Sequence, residues 1–138
     1  MSPQPISTVA RQFGLRASAL RYYERIGILS RASISGGKRH YDAAGLNRIA
    51  IIQLARSAGF SLADIRELFT GYAQSVPASR RWREITERKQ AQLEDTARRI
   101  RGMQLLLSKM GRCGCDGLDL CGARIRKAAC APGRTLVR

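Results

Sequence analysis

Acidic residues are scarce in this chain: ten Asp and Glu stand against 25 Lys and Arg, leaving a formal net charge of +15. That imbalance suits a polyanionic partner, either nucleic acid or an anionic membrane surface. Histidine is scarcer still, with His40 alone, so no Ser/His/Asp or Cys/His constellation is available, and no glycine-rich phosphate loop is present. An enzyme is not expected. No run approaches the roughly 20 apolar residues of a membrane span. The N-terminal MSPQPISTVARQ lacks the basic-then-apolar layout of a signal peptide. The expected compartment is therefore the cytoplasm, where thiols stay reduced, with no membrane partner. Cysteine is missing until position 113; Cys113, Cys115, Cys121 and Cys130 all fall in the last 26 residues. A disulfide-stapled fold would spread them along the chain, whereas clustered cytosolic thiols point to a metal, cluster or redox site.

Apolar periodicity and helix stop signals give a mainly α organisation. Residues 6–13 read as a short helix with Ser7 as its cap and Gly14 as its stop. Residues 16–26 read as a second helix, ended by Gly27. So short a glycine-containing break is what a helix-turn-helix requires, with Ile6, Val9, Ala10, Phe13, Leu15, Ala19, Leu20 and Tyr23 as its small core. Residues 28–41 alternate weakly around Gly36-Gly37 and suit a two-stranded hairpin, or wing, carrying Lys38, Arg39 and His40. Asp42 caps a helix over 43–58 with apolar Leu46, Ile49, Ala50, Ile52, Leu54 and Ala55. Ser61 caps another over 62–72 that buries Leu62, Ile65, Leu68 and Phe69, and 71–79 look like a linker.

Residues 80–110 contain no proline and one glycine. Positions 82, 86, 89, 93, 96, 100, 103, 107 and 110 alternate by four and three, and six of these nine are apolar. That is a coiled-coil seam, on a rod of roughly 45 Å at about 1.5 Å per residue. A head this small cannot cover such a rod, so a second copy is its natural partner. After Met110 the periodicity stops, and a loop rich in glycine and cysteine leads into a basic tail without fixed structure. The chain thus divides into a winged helix-turn-helix head (1–75), a dimerisation helix (76–110) and a cysteine loop with a flexible tail (111–138).

Four blocks, in order and spacing, resemble the MerR family of bacterial transcription regulators. They are Ile6-Ser7-Thr8-Val9-Ala10, Leu20-Arg21-Tyr22-Tyr23-Glu24-Arg25-Ile26-Gly27-Ile28-Leu29, Arg39-His40-Tyr41-Asp42, and the segment Leu54 to Leu62. With the long helix and the cysteine loop, the resemblance covers roughly residues 5–121. It implies an antiparallel coiled-coil homodimer whose two heads bind a pseudo-palindromic promoter with a long spacer. Relatives bend and untwist that double-stranded DNA so that RNA polymerase engages both promoter elements, which is control by deformation.

A recognition helix presents its N-terminal residues to base edges in the major groove, here Arg16, Ala17 and Ser18, then Arg21 and Tyr22 one turn on. By the resemblance, Arg21 and Tyr22 belong to the family's Arg-aromatic-Tyr-Glu block. Arginine can pair bidentately with guanine or hold a phosphate, and Tyr22 is expected to donate to a phosphate. Tyr23 is expected to pack inside. Lys38, Arg39 and His40 on the wing are expected to contact backbone, although His40 equally suits a plain surface position. Many relatives carry tyrosine where Lys38 stands. Arg56 and Arg48 are either further phosphate contacts or simple exposed charges.

Cys113, Cys115 and Cys121 form C-x-C-x5-C, close enough to converge on a soft ion or an iron–sulfur centre. The segment is most similar to the redox-sensing SoxR branch of the family, which holds a [2Fe–2S] cluster with C-x2-C-x-C-x5-C. In that frame Met110 replaces the first cysteine, a thioether being a poor ligand for ferric iron, and Cys130 is a candidate substitute. Redox sensing by such a cluster is the leading expectation. The spacing of Cys113 and Cys121 also matches the family's copper-type sensors, where two thiolates suit Cu(I). Divalent-metal members add a cysteine near the start of the long helix, where this chain has Ala78 and Ser79. Direct thiol chemistry, favoured by Arg112, Lys109 and Arg124 nearby, stays open. So does a loop with no sensing role.

Overall fold

A computed structural model describes residues 2–127 of the chain. They form two compact units, the first ending at Thr86 and the second beginning at Glu87. The first is a winged helix-turn-helix. Strand β1 (Gln4–Pro5) leads into α1 (Ile6–Gln12), then α2 (Ala17–Arg25), β2 (Ser33–Ser35), β3 (Lys38–Tyr41), α3 (Ala43–Ser57) and α4 (Leu62–Thr70). Helix α5 (Ala78–Met110) runs from the first unit into the second, and α6 (Leu118–Arg126) follows.

Ser7 does not cap α1. Pro5 holds the N-cap position with no side-chain cap, and Ser7 lies inside the first turn. Proline fits there because its fixed φ suits a helix start and it has no N–H left to satisfy. The remaining capping expectations hold. The Asp42 carboxylate accepts from the Gly45 N–H, and Ser61 with Asp64 forms a reciprocal capping box. Gly14, Gly27 and Gly59 take positive φ just past the ends of α1, α2 and α3.

The wing is a three-stranded antiparallel sheet ordered β1-β3-β2, rather than a bare hairpin over 28–41. Gln4 pairs with Tyr41 and Pro5 with His40, so the chain's N-terminal residues cover one edge of β3. The paired part of the hairpin is short, from Ser33 opposite His40 to Ser35 opposite Lys38. Gly36 and Gly37 both lie at positive φ (55° and 72°), as a two-residue hairpin turn of matching twist requires. Ile28 and Leu29 are not strand residues. Their N–H groups both donate to the Tyr23 carbonyl, and their side chains are buried.

The core of the first unit joins Val9 and Leu20 from the helix-turn-helix to Ile49, Ile52, Phe60 and Ile65, with Tyr41 from the sheet. Ile6, Phe13, Leu15 and Tyr23 pack around it half-buried. Leu54 and Ala50 point outward instead, since the inward stripe of α3 is Leu46, Ile49, Ile52 and Ala55. The head also takes in the first turns of α5. Ile85 is fully buried there, and Trp82 packs edge-on against Phe60 at 6.4 Å between ring centroids. This explains why the compact unit reaches Thr86 rather than stopping at 75.

Beyond Thr86 no other described element covers the apolar seam of the helix. Leu93, Ile100, Met103, Leu107 and Met110 are each at least half exposed, and all lie on the four-three seam. The 33 residues of α5 make a rod of about 50 Å. The segment after Met110 is not wholly loop: residues 118–126 form α6, with Gly117 at its N-cap and Cys121 in its second turn. Cys130 and the expected flexible tail lie outside the described residues.

Candidate functional site

Two groups of residues stand out, one in each unit. In the head, α2 presents Arg16, Ser18, Arg21 and Tyr22 to solvent, while Leu20 on its opposite face is fully buried. Among the described residues, no hydrogen bond or ion pair engages the side chain of Arg16, Arg21 or Lys38. Tyr22 is 40 % exposed, with the Arg25 guanidinium 5.1 Å above its ring. Tyr23 is half-buried against the core, as expected.

Glu24 organises the wing. It shares the inward face of α2 with Leu20, one turn earlier, and its side chain is only 8 % exposed. Its Oε1 accepts from the Tyr41 hydroxyl at 2.6 Å and from the Ala32 N–H at 3.3 Å, and its Oε2 accepts from Arg39 Nε at 3.2 Å. One carboxylate thereby ties the recognition helix to the segment entering β2 and to two residues of β3. Burial, followed by the hydrogen bond to Glu24 and that group's charge, pushes the Tyr41 hydroxyl far above the usual phenol range. Glu24 and Tyr41 stood within the family blocks but carried no assigned role. The available signal was the spacing of Leu20 and Glu24, which places a carboxylate on a buried helix face.

The expected basic residues therefore fall into different classes. Arg39 is half engaged by Glu24 and still 42 % exposed. His40 Nδ1 meets the Lys38 carbonyl at 3.0 Å, and Lys38 itself stands exposed beside the turn. Arg56 donates through Nη1 to the Phe60 carbonyl at 3.1 Å, closing the C-terminal turn after α3. Arg48 is a brace rather than a simple exposed charge. Its Nε donates to the Ile28 carbonyl at 2.6 Å and its guanidinium lies 3.8 Å over the Phe69 ring, with burial lowering its pKa. Arg81 was not singled out from the sequence, yet it donates to the carbonyls of Val76, Ala73 and Leu68 and stacks near Tyr72.

In the second unit, Cys113, Cys115 and Cys121 converge: their sulfur atoms all lie within 4.8 Å of one another. Cys113 and Cys121 are 3.9 Å apart, and Arg124 Nη1 donates to Cys115 Sγ at 3.6 Å. Local geometry produces this cluster. The Cys113 N–H closes a turn on the Met110 carbonyl, ending α5. The second turn of α6 then returns Cys121, and Arg124 follows three residues later on the same face. Hydrogen bonds from the Cys115 N–H, then from the Cys115 and Cys121 thiols, hold the Cys113 thiol below the ordinary range, with Arg124 adding to the effect. Cys115 moves the other way, up to about 11, chiefly because its proton is held by Cys113.

The donor set fits one soft ion. With metal–thiolate bonds of about 2.3 Å, a trigonal site has sulfur edges of about 4 Å and a linear one a span of about 4.6 Å. The 3.9 Å pair matches the trigonal edge. A two-iron cluster spreads four ligands over two metals, and the described residues offer three close thiols plus the thioether of an exposed Met110.

Residues 5–72 match the family described as "MerR HTH family regulatory protein", and residues 46–110 match "MerR, DNA binding". The chain is 28% identical to a SoxR homolog of Chromobacterium violaceum, described as a transcriptional activator, over 84% of this chain and 79% of that one. It is 30% identical to the transcriptional regulator CueR of Salmonella typhi, over 83% of each. Its fold is similar to that of a MerR-family transcriptional regulator from Bacillus cereus, with a TM-score of 0.62 at 22% identity, covering 93% of this chain and 97% of that one.

Proposed function

This chain belongs to the MerR family of helix-turn-helix transcription regulators, and from that premise we propose that it is a promoter-binding regulator whose three-thiol cluster senses a single thiophilic metal ion. The observation carrying the sensor half is the convergence of three sulfurs within 4.8 Å, with a 3.9 Å edge that one trigonal ion would span. The exposed, unengaged Arg16, Arg21 and Lys38, with Ser18 and Tyr22 between them, support the DNA half. Arg21 and Arg16 read or grip the major groove, and Tyr22 holds a phosphate. Lys38, His40 and the outer edge of Arg39 grip the backbone from the wing, and Arg56 adds charge from the last turn of α3.

The uncovered seam of α5 supports a homodimer, its rods paired antiparallel as the family resemblance implies. Ion binding draws residues 113–121 together at the end of that rod. The two heads then shift between arrangements, and the promoter they hold in the cytoplasm is bent or untwisted accordingly, so that RNA polymerase responds. No helix among the described residues is long and apolar enough to cross a membrane, and the regulator family is not a class of enzymes.

A second reading has one observation in its favour, the similarity to a SoxR homolog over most of the chain. In it the loop holds a [2Fe–2S] cluster on Cys113, Cys115 and Cys121 and responds to redox state, with a fourth ligand from Met110 or Cys130.

In vitro selection from randomised duplexes, followed by footprinting and reconstituted transcription with and without Cd(II), Cu(I) and oxidant, tests both halves. Arg21→Ala is expected to lower specific affinity by about 1–3 kcal/mol; unchanged site binding would remove the recognition-helix assignment. Cys113→Ser and Cys121→Ser are expected to bind the site normally and lose the response. Two responsive mutants would exclude the cysteine cluster as the sensor. A brown anaerobic preparation containing iron and sulfide would decide for the cluster instead.

A further inference from the structure

The thiol cluster has a charged neighbour that neither the DNA-binding half nor the ligand set uses. Arg124 points back from the second turn of α6 and donates to Cys115 Sγ at 3.6 Å. Its positive charge favours the thiolate at both Cys113 and Cys115.

We propose that Arg124 is a specificity-determining residue that makes Cys115 the third ligand and selects a divalent, three-coordinate thiophilic ion over a monovalent, two-coordinate one. This rests on the metal-sensing reading above. The argument is a charge count joined to a ligand count. Three thiolates carry three negative charges; a divalent ion leaves one, and the fixed positive charge of Arg124 cancels it. A monovalent ion on two thiolates also leaves one negative charge, so it is the position of Arg124, on Cys115, that separates the modes rather than the net charge. A linear monovalent ion also has no use for Cys115, since Cys113 and Cys121 would suffice. Arg124 touches the thiol that separates the two modes. Arginine suits the task because its guanidinium is charged at every physiological pH. Binding balances as the ion displacing one proton from each thiol it coordinates, with no electron transferred.

The test uses the purified full chain under reducing, anaerobic conditions. Cd(II) affinity is read from thiolate-to-metal charge-transfer absorption, and Cu(I) affinity from competition with a chromophoric chelator. Wild type is compared with Arg124→Gln, Arg124→Lys and Cys115→Ser. The site is open to solvent, so the charge acts through a high dielectric and its effect is modest. Arg124→Gln should weaken Cd(II) binding by about fivefold while moving Cu(I) by less than about twofold, so the affinity ratio shifts. Arg124→Lys should restore part of that ratio, which a simple loss of fold would not do. Cys115→Ser should remove the Cd(II) preference entirely and leave Cu(I) near its wild-type affinity. An unchanged ratio in Arg124→Gln, or an equal loss for both ions, overturns the role of Arg124 while leaving metal sensing intact. Failure of the wild type to bind either ion overturns metal sensing and this inference together.

Discussion

Replacing Glu24 by glutamine and Tyr41 by phenylalanine, singly and together, should expose how the wing is held to the recognition helix. Tyr41 is 2 % exposed and its hydroxyl donates to Glu24 Oε1 at 2.6 Å. A buried hydrogen bond to a charged group contributes about 1.5–3 kcal/mol. Tyr41→Phe removes the donor and leaves an acceptor that still has Ala32 and Arg39 as partners, so its cost should sit near the low end, about 1.5 kcal/mol. Glu24→Gln keeps the volume and one carbonyl acceptor but loses the charge. It weakens the tyrosine bond and the Arg39 pair, the latter contributing well under 1 kcal/mol because Arg39 is 42 % exposed. About 1–2 kcal/mol is expected for it. The two residues share one bond, so the double mutant should fall short of the sum by about 1 kcal/mol. Urea unfolding followed by far-ultraviolet circular dichroism, at one fixed protein concentration, measures each corner of the cycle. Additive costs, with a coupling below about 0.5 kcal/mol, would falsify the claim that this hydrogen bond fastens the wing.

The same tyrosine predicts an alkaline limb. Its folded pKa is raised above the unfolded value of about 10, so its stabilisation is complete below that pH and is lost as pH climbs toward the folded value; Tyr41→Phe should flatten the difference in stability between pH 9 and pH 11. In the cysteine cluster, Cys113 is lowered and Cys115 raised to about 11. Iodoacetamide near neutral pH should therefore label Cys113 well before Cys115 when peptides are mapped by mass spectrometry, and equal rates would contradict the hydrogen-bond pattern. On the rod, Ile100→Lys and Met103→Glu each place a charge on the uncovered seam. Sedimentation should show monomer at micromolar concentration, and a dimer surviving both would require another interface.

The parts of the fold that were readable in the sequence are those fixed by local chemistry. Asp42 and Ser61 cap their helices because each stands one residue before an amphipathic run, with a free N–H three residues on. The paired glycines give the hairpin tip by the same kind of rule. Ser7 failed because Pro5 starts the helix earlier, and the strand at Gln4–Pro5 was invisible because two residues carry no alternation. The helix at 118–126 was hidden by Gly122 and by glycines before it, which lower helix propensity below what periodicity can reveal. The cluster of Cys113, Cys115 and Cys121 was legible from spacing alone. Arg124 as its neighbour was not, because its place depends on the α6 turn that the glycines concealed.

The least legible property was what each positive charge does. A net charge of +15 marks a protein that meets a polyanion, but it assigns no residue. Arg48, Arg56, Arg66 and Arg81 donate to the carbonyls of Ile28, Phe60, Ile26 and the residues around the α4–α5 linker. Each fixes the end of a helix or an irregular connection where backbone acceptors lack partners in regular structure. Those arginines shape the head. Arg16, Arg21 and Lys38 have no such partner, and they stand on the recognition helix and beside the wing turn. A guanidinium bonded to a buried carbonyl has fewer donors left for a phosphate, so the geometry of the carbonyls separates charges that build the surface from charges free to grip DNA. The same logic distinguishes Arg124, whose guanidinium bonds, among the described residues, to a sulfur rather than a carbonyl. It does not complete a helix end. It completes the charge of a thiol site, and that is why its removal should alter which ion is bound before it alters whether the chain folds.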